Sequence, residues 1–348
     1  MTASTAPPPQ RTHDSGLSLL RVVSAIAVIM LHAAAGVAGG IPSGFDRGWW
    51  LANGLDAATR FCVPVFLMIS GALLLGYQQE DGPFIRRRLK RIVVPLLFWT
   101  IIYLLHNALK NFQSVAGNPK EFLVGAWHAL LNGVAYHLWY VYMLIGVCLF
   151  LPVLNAWVRQ ASHRQIEIFL LIAFLFSLNS QPWFDPLLPN IDGHYFWGYG
   201  SYFVLGHYLY KYPTVLQRRP WLPYVLYLVS VLITAYGTYH TSKSQGSFDG
   251  LFYEYRSPGV VLMSLSVFAI GLQFRNLKLP RWVLAADAAS YGIYLSHILV
   301  MEYAWKIAID VTTRGTLRIL LHAFFTFLIS FAAVWLLRRI RFLRNLTG

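Results

Sequence analysis

Stretches of about twenty mainly apolar residues recur along the chain between short polar segments, and a helix of that length crosses a hydrocarbon core of about 30 Å. Ten such runs are present, at approximately 17–38, 55–76, 92–112, 137–157, 166–182, 196–211, 222–240, 257–273, 283–304 and 316–337. The pattern predicts an all-α, polytopic integral membrane helical bundle of about ten transmembrane helices.

The polar connections alternate in charge. Short cytoplasmic loops collect Lys and Arg, and with the N-terminus inside, Arg11, the group Arg86 to Arg91, Arg159, Arg164, Lys211, Arg218, Arg219, Arg275, Lys278, Arg281, Arg338, Arg339, Arg341 and Arg344 all fall on one side. They make up 18 of the 28 basic residues, against eight on the other side. Both termini are therefore expected to be cytoplasmic. The net charge of +14 follows from this topology and gives no reason to invoke nucleic acid, whereas basic loops also suit an anionic lipid surface.

Composition agrees: 57% hydrophobic against 12% charged is far from the usage of soluble domains. Residues 1–15, with Pro7, Pro8 and Pro9, read as a disordered cytoplasmic tail, 16–340 as a single transmembrane domain, and 341–348 as a basic cytoplasmic tail. No small-residue cleavage site follows the first run, so that helix is expected to remain in the mature protein. Cys62 and Cys148 lie inside predicted spans, which suits packing better than a disulfide or a metal. No metal site is expected, and no phosphate-loop or dinucleotide glycine pattern stands out.

Ionisable residues inside spans are costly and mark sites or buried pairs. In the first span Arg21 and His32 are eleven residues apart, about 16 Å along a helix and nearly on one face; a snorkelling arginine and a packing histidine would also fit. In the second, Asp56 and Arg60 are four apart and able to pair, at nearly the outer depth of His32. The ninth carries Asp287, Ser290, Tyr294 and His297 as a polar stripe ending at the same level; a hydrogen-bonded helix seam would explain the serine and tyrosine, but not two histidines. His137, Leu138, Trp139 and Tyr140 open the fourth span, where aromatic rings also serve as interface anchors. Glu302 lies nearby in sequence depth. At the inner boundary, Phe84, Arg87, Arg88, Arg91, Ile92 and Pro95 set basic residues at a helix entrance, with Pro95 placed in the first turns of the third span. Arginine forks bind phosphate oxygens bidentately, so this cluster suits a polyphosphate such as coenzyme A, although ordinary loop charge also accounts for it.

These segments resemble the acyltransferase 3 family, multi-pass enzymes that move acyl groups, mostly acetyl, from cytoplasmic donors to surface sugars. Arg21 with His32 matches its first-helix signature, and Pro64 to Gly71 looks like its second-helix segment ending in Ser-Gly. Phe84 to Pro95 resembles its basic motif, His137 to Tyr140 its Trp-bearing segment, and Ser290 to His297 its Tyr-Leu-x-His segment. The chain is most similar to the compact branch that contains the enterobacterial common antigen O-acetyltransferase.

The resemblance implies a bacterial inner-membrane O-acetyltransferase with acetyl-CoA as donor, no permanently bound cofactor, and a glycan or lipid-linked saccharide as acceptor. Arg86, Arg87, Arg88 and Arg91 would hold the donor phosphates, Arg21 would guide the acyl arm, and His32 would be the general base. Arg60, Asp56 and His297 would complete the catalytic group, with Trp139, Tyr140, Tyr294 and Glu302 facing the acceptor. An imidazole, with an unperturbed pKa of about 6.5, suits proton transfer near neutral pH. A secondary transporter or flippase of a sugar or lipid-linked sugar is the alternative, since it too would have ten or so spans, interior charges and aromatic mouths.

Overall fold

The computed structural model describes residues 14–40, 44–77, 81–178, 198–311 and 315–348, and every regular element among them is helical. In chain order the α-helices are α1 (Ser15–Ala38), α2 (Arg47–Thr59), α3 (Cys62–Leu74), α4 (Asp81–Lys110), α5 (Phe112–Gly117), α6 (Pro119–Asn132), α7 (Trp139–Gln160), α8 (His163–Leu178), α9 (Gly200–Lys211), α10 (Val215–Arg218), α11 (Leu222–Gln245), α12 (Pro258–Leu272), α13 (Arg281–Val311) and α14 (Gly315–Leu337). Among the described residues eight stretches are long and apolar enough to cross a membrane, and they coincide with every predicted run except the fifth and sixth. Those two are α8 and α9, of 16 and 12 residues. The end of the fifth run, the start of the sixth and the tail through residue 13 lie outside the described residues.

α1 is the central helix. Asp14 caps it by accepting from the Leu17 amide at 3.1 Å, and it packs against α2, α3, α12, α13 and α14. α1 and α13 run parallel and meet at two levels: Arg21 pairs with Asp287, and the ring of His32 stacks on that of His297. The separations of eleven and ten residues both place the levels about 16 Å apart, so one helix register satisfies both.

The second predicted span is two helices. Arg60 ends α2 and Phe61 precedes α3, because Pro64 has no amide to donate to the Arg60 carbonyl and its ring crowds that carbonyl. Asp56 and Arg60 pair across one turn just before the break. α3 and α9 cross with their backbones in contact, Gly71 against Phe203 and Gly206 against Met68. A Cβ at Gly71 would lie 2.0 Å from the Phe203 oxygen, and one at Gly206 would lie 2.0 Å from the Met68 oxygen. Small residues permit such crossings in membrane bundles, where packing replaces the hydrophobic drive.

The third span begins earlier than its apolar run. α4 starts at Asp81, so the basic segment belongs to the helix and Pro95 lies in its interior, not in its first turns. The last residues also differ from a free tail: Leu343–Asn345 forms a 3-10 turn, Thr347 is buried, and its carbonyl accepts from Trp99 Nε1 at 3.4 Å. Outward faces remain apolar, as with Leu228 and Leu232 on α11 and Phe324 and Leu328 on α14, all exposed, which suits a lipid surround.

Candidate active site

α4 carries its basic residues at helical spacing, so Arg87, Lys90 and Arg91 share a stripe with Val94 and Pro95. That stripe walls a cavity of about 890 Å³ that also receives Arg88 from α4, Arg21 from α1 and Asp287 from α13. Arg86 is exposed and outside this lining, so of the four arginines expected to hold phosphates only three face the cavity. Lys90 and, from the C-terminal segment, Arg338 and Arg344 join them. Sequence reasoning assigned the last two to loop charge; Arg338 follows the end of α14, and the fold-back of residues 343–348 that carries Arg344 here has no local signal.

Arg21 Nη1 lies 3.0 and 3.3 Å from the two Asp287 oxygens. Arg88 reaches towards Ser70 Oγ at 3.5 Å, which gives the Ser-Gly pair of α3 its division of labour: Ser70 lines the cavity and Gly71 makes the crossing with α9. Tyr140 and Tyr294, also part of the lining, close the deep end with ring centroids 5.3 Å apart.

On the far side of these rings is a histidine cluster. Tyr294 is 5.5 Å from His137 and 5.6 Å from His297, centroid to centroid, and its hydroxyl donates to the His137 carbonyl. His297 lies 4.8 Å from His137 and 5.4 Å from His32. His297 Nδ1 sits 2.5 Å from the Tyr294 carbonyl, the geometry of a donated N–H, and Nε2 is buried without a hydrogen-bond partner. His32 is half-buried, with Nδ1 3.3 Å from the hydroxyl of exposed Tyr136. When Nδ1 is the donor to Tyr136, His32 Nε2 is bare and able to take a proton. His297 and His137 are almost fully enclosed, so His32 is the imidazole of the three open to an entering molecule.

Arg60 lies within electrostatic reach of His32. Its Nη2 is 2.6 Å from Asp56 Oδ1, its guanidinium carbon is 4.1 Å above the Tyr253 ring, and Nη1 approaches the Tyr253 carbonyl at 3.5 Å. Asp56 therefore holds Arg60 and orients no histidine. Tyr253 and its bond to Asn53 escaped sequence reasoning, as did Tyr136, although Tyr136 adjoins the noted His137 segment.

Glu302 and Trp139, both expected to face the acceptor, have these neighbours. Glu302 pairs with Lys110 and lies 3.9 Å from His106, at the exposed ends of α4 and α13. Trp139 stands beside Tyr199 and Tyr255, 5.7 Å from each ring. Cys62 and Cys148 are both buried and free. Among the described residues no trio of His, Cys, Asp or Glu is arranged to hold a metal.

A family model described as an acyltransferase domain matches residues 14–339, nearly the whole of the bundle and both ends of the cavity. Searches of curated proteins and of solved structures gave no match. The chain belongs to the acyltransferase 3 family and is a multi-pass membrane acyltransferase.

Proposed function

We propose that this acyltransferase moves an acetyl group from cytoplasmic acetyl-CoA to a hydroxyl of a cell-surface or lipid-linked glycan, in a bacterial inner membrane. The observation that carries the reading is the alignment of an arginine-lined cavity with the histidine cluster across the Tyr140 and Tyr294 rings. Arg87, Arg88 and Arg91 bind the donor phosphates with charge-assisted hydrogen bonds. The pantetheine arm, slender and largely uncharged, extends past the Arg21–Asp287 pair towards the two tyrosines.

In the transfer step His32 Nε2 takes the proton of the acceptor hydroxyl as its oxygen attacks the thioester carbonyl. The new C–O bond forms, the C–S bond breaks, and the proton held on His32 passes to the departing thiolate, so the enzyme is unchanged after one turnover. Arg60 stabilises the developing oxyanion. A general base of this kind contributes about 10²- to 10⁴-fold in rate.

The experiment is transfer of radiolabelled acetyl from acetyl-CoA to cell-envelope glycan by membranes containing wild type, His32→Ala or Arg88→Ala, with abundance of each protein measured. Wild-type labelling that well-inserted His32→Ala loses, and that well-inserted Arg88→Ala loses at acetyl-CoA concentrations near the wild-type KM, is the expected result. Absence of transfer by wild type across a broad glycan panel, or full transfer by His32→Ala, overturns the reading.

A further inference from the structure

Tyr103 of α4 is buried, with its ring 6.0 Å from that of His137. Its hydroxyl donates to the Leu295 carbonyl at 3.2 Å and accepts from the Leu299 amide at 3.0 Å. Those backbone groups are four residues apart on α13, the acceptor and donor that an uninterrupted α-helix joins to each other. His297 occupies the middle of that turn. A phenol is one of the few side chains able to serve both groups, because its oxygen donates and accepts at once. A side chain bonding into the helical ladder is a recognised cause of local distortion.

The same turn reaches the rest of the cluster. Tyr294, one residue before Leu295, bonds the His137 carbonyl through its hydroxyl and His297 Nδ1 through its own carbonyl. A change in the pitch between Leu295 and Leu299 therefore moves the buried, unpartnered Nε2 of His297 relative to His32.

We infer that Tyr103 is a positioning residue: its hydroxyl, bridging Leu295 C=O and Leu299 N–H, sets the turn of α13 that aims His297 at His32 and steadies His137 beside it. The kinetic consequence rests on the proposed acetyl transfer; the structural consequence does not. Tyr103→Phe retains the ring and its packing and removes only the bridge.

The test has two arms. In ¹⁵N-histidine NMR of the purified full chain in micelles, Tyr103→Phe shifts the ring signals of His297 and His137 and leaves those of His163 and His207 in place. In the transfer assay kcat falls about tenfold, the scale of a misplaced catalytic group, while KM for acetyl-CoA changes by less than about twofold. In a His297→Ala background the same substitution has little further effect on kcat, because groups that act through one another are not additive. Unmoved His297 and His137 signals, a wild-type kcat, or two losses that multiply would overturn the role. A wild-type protein that transfers no acetyl sinks the proposed reaction, and the NMR arm then still decides whether Tyr103 holds the turn.

Discussion

Asp56→Asn isolates the charge pair beside His32. Asp56 is 1% exposed and Arg60 14%, with 2.6 Å between nitrogen and oxygen. Taking charge centres about 4 Å apart and an effective dielectric of about 20, their attraction is about 4 kcal/mol, in line with the roughly 3–5 kcal/mol lost when one member of a buried pair is removed. The Tyr253 ring under the guanidinium retains about 1 kcal/mol of that through its cation–π contact, so the net loss is about 2–4 kcal/mol. Removing both charges in Asp56→Asn/Arg60→Gln leaves no stranded ion, and stability returns to within about 1–2 kcal/mol of wild type. Equilibrium unfolding in mixed micelles measures all three proteins. The single variant is expected to be the least stable, and both variants are expected to lose transfer, the double through the missing Arg60. A single variant as stable as wild type, or a double variant less stable than the single, would refute the reasoning.

Three further outcomes follow from the geometry. Gly71→Ala drives a methyl to within 2.0 Å of the Phe203 oxygen, so α3 and α9 must separate; overpacking of this kind costs about 1–3 kcal/mol or more, seen as a lower unfolding midpoint, while Gly36→Ala, with open space around it, leaves the midpoint unchanged. Arg88→Ala raises KM for acetyl-CoA about 10- to 100-fold, the worth of about 1.5–3 kcal/mol for a hydrogen bond to a charged group, and Arg86→Ala, outside the cavity, leaves KM within about twofold. Glu302→Gln weakens only exposed contacts, with Lys110 and His106, and is expected to change kcat by less than about twofold, since surface ion pairs contribute little.

The helical bundle and the two levels of its site were legible because both rest on short-range periodicity. Hydrophobic run length gave eight spans that the structure contains, and the helical spacing of Asp287, Ser290, Tyr294 and His297 placed His297 at the outer level of His32, where the two rings stack. What stayed hidden depends on distance in the chain. The interruption at Arg60 follows from Pro64 and was in principle readable. That Asp287 answers Arg21, that Glu302 turns to Lys110, and that Arg338 and Arg344 come round to the arginine cavity are matters of helix rotation and chain reversal that one helix's pattern does not encode. Tyr103 looked like any apolar-run tyrosine, because its partners are backbone atoms 192 and 196 residues away.

The central claim is that acyl donor and acceptor meet from opposite sides of the bilayer, and sidedness tests it most directly. In sealed inside-out membrane vesicles, labelled acetyl-CoA supplied outside touches only the arginine face, while the glycan acceptor is trapped in the lumen with the histidine face. Labelled glycan in the lumen for wild type and none for His32→Ala is the expected result. Labelling that needs donor in the lumen, or that proceeds undiminished in His32→Ala, would contradict it.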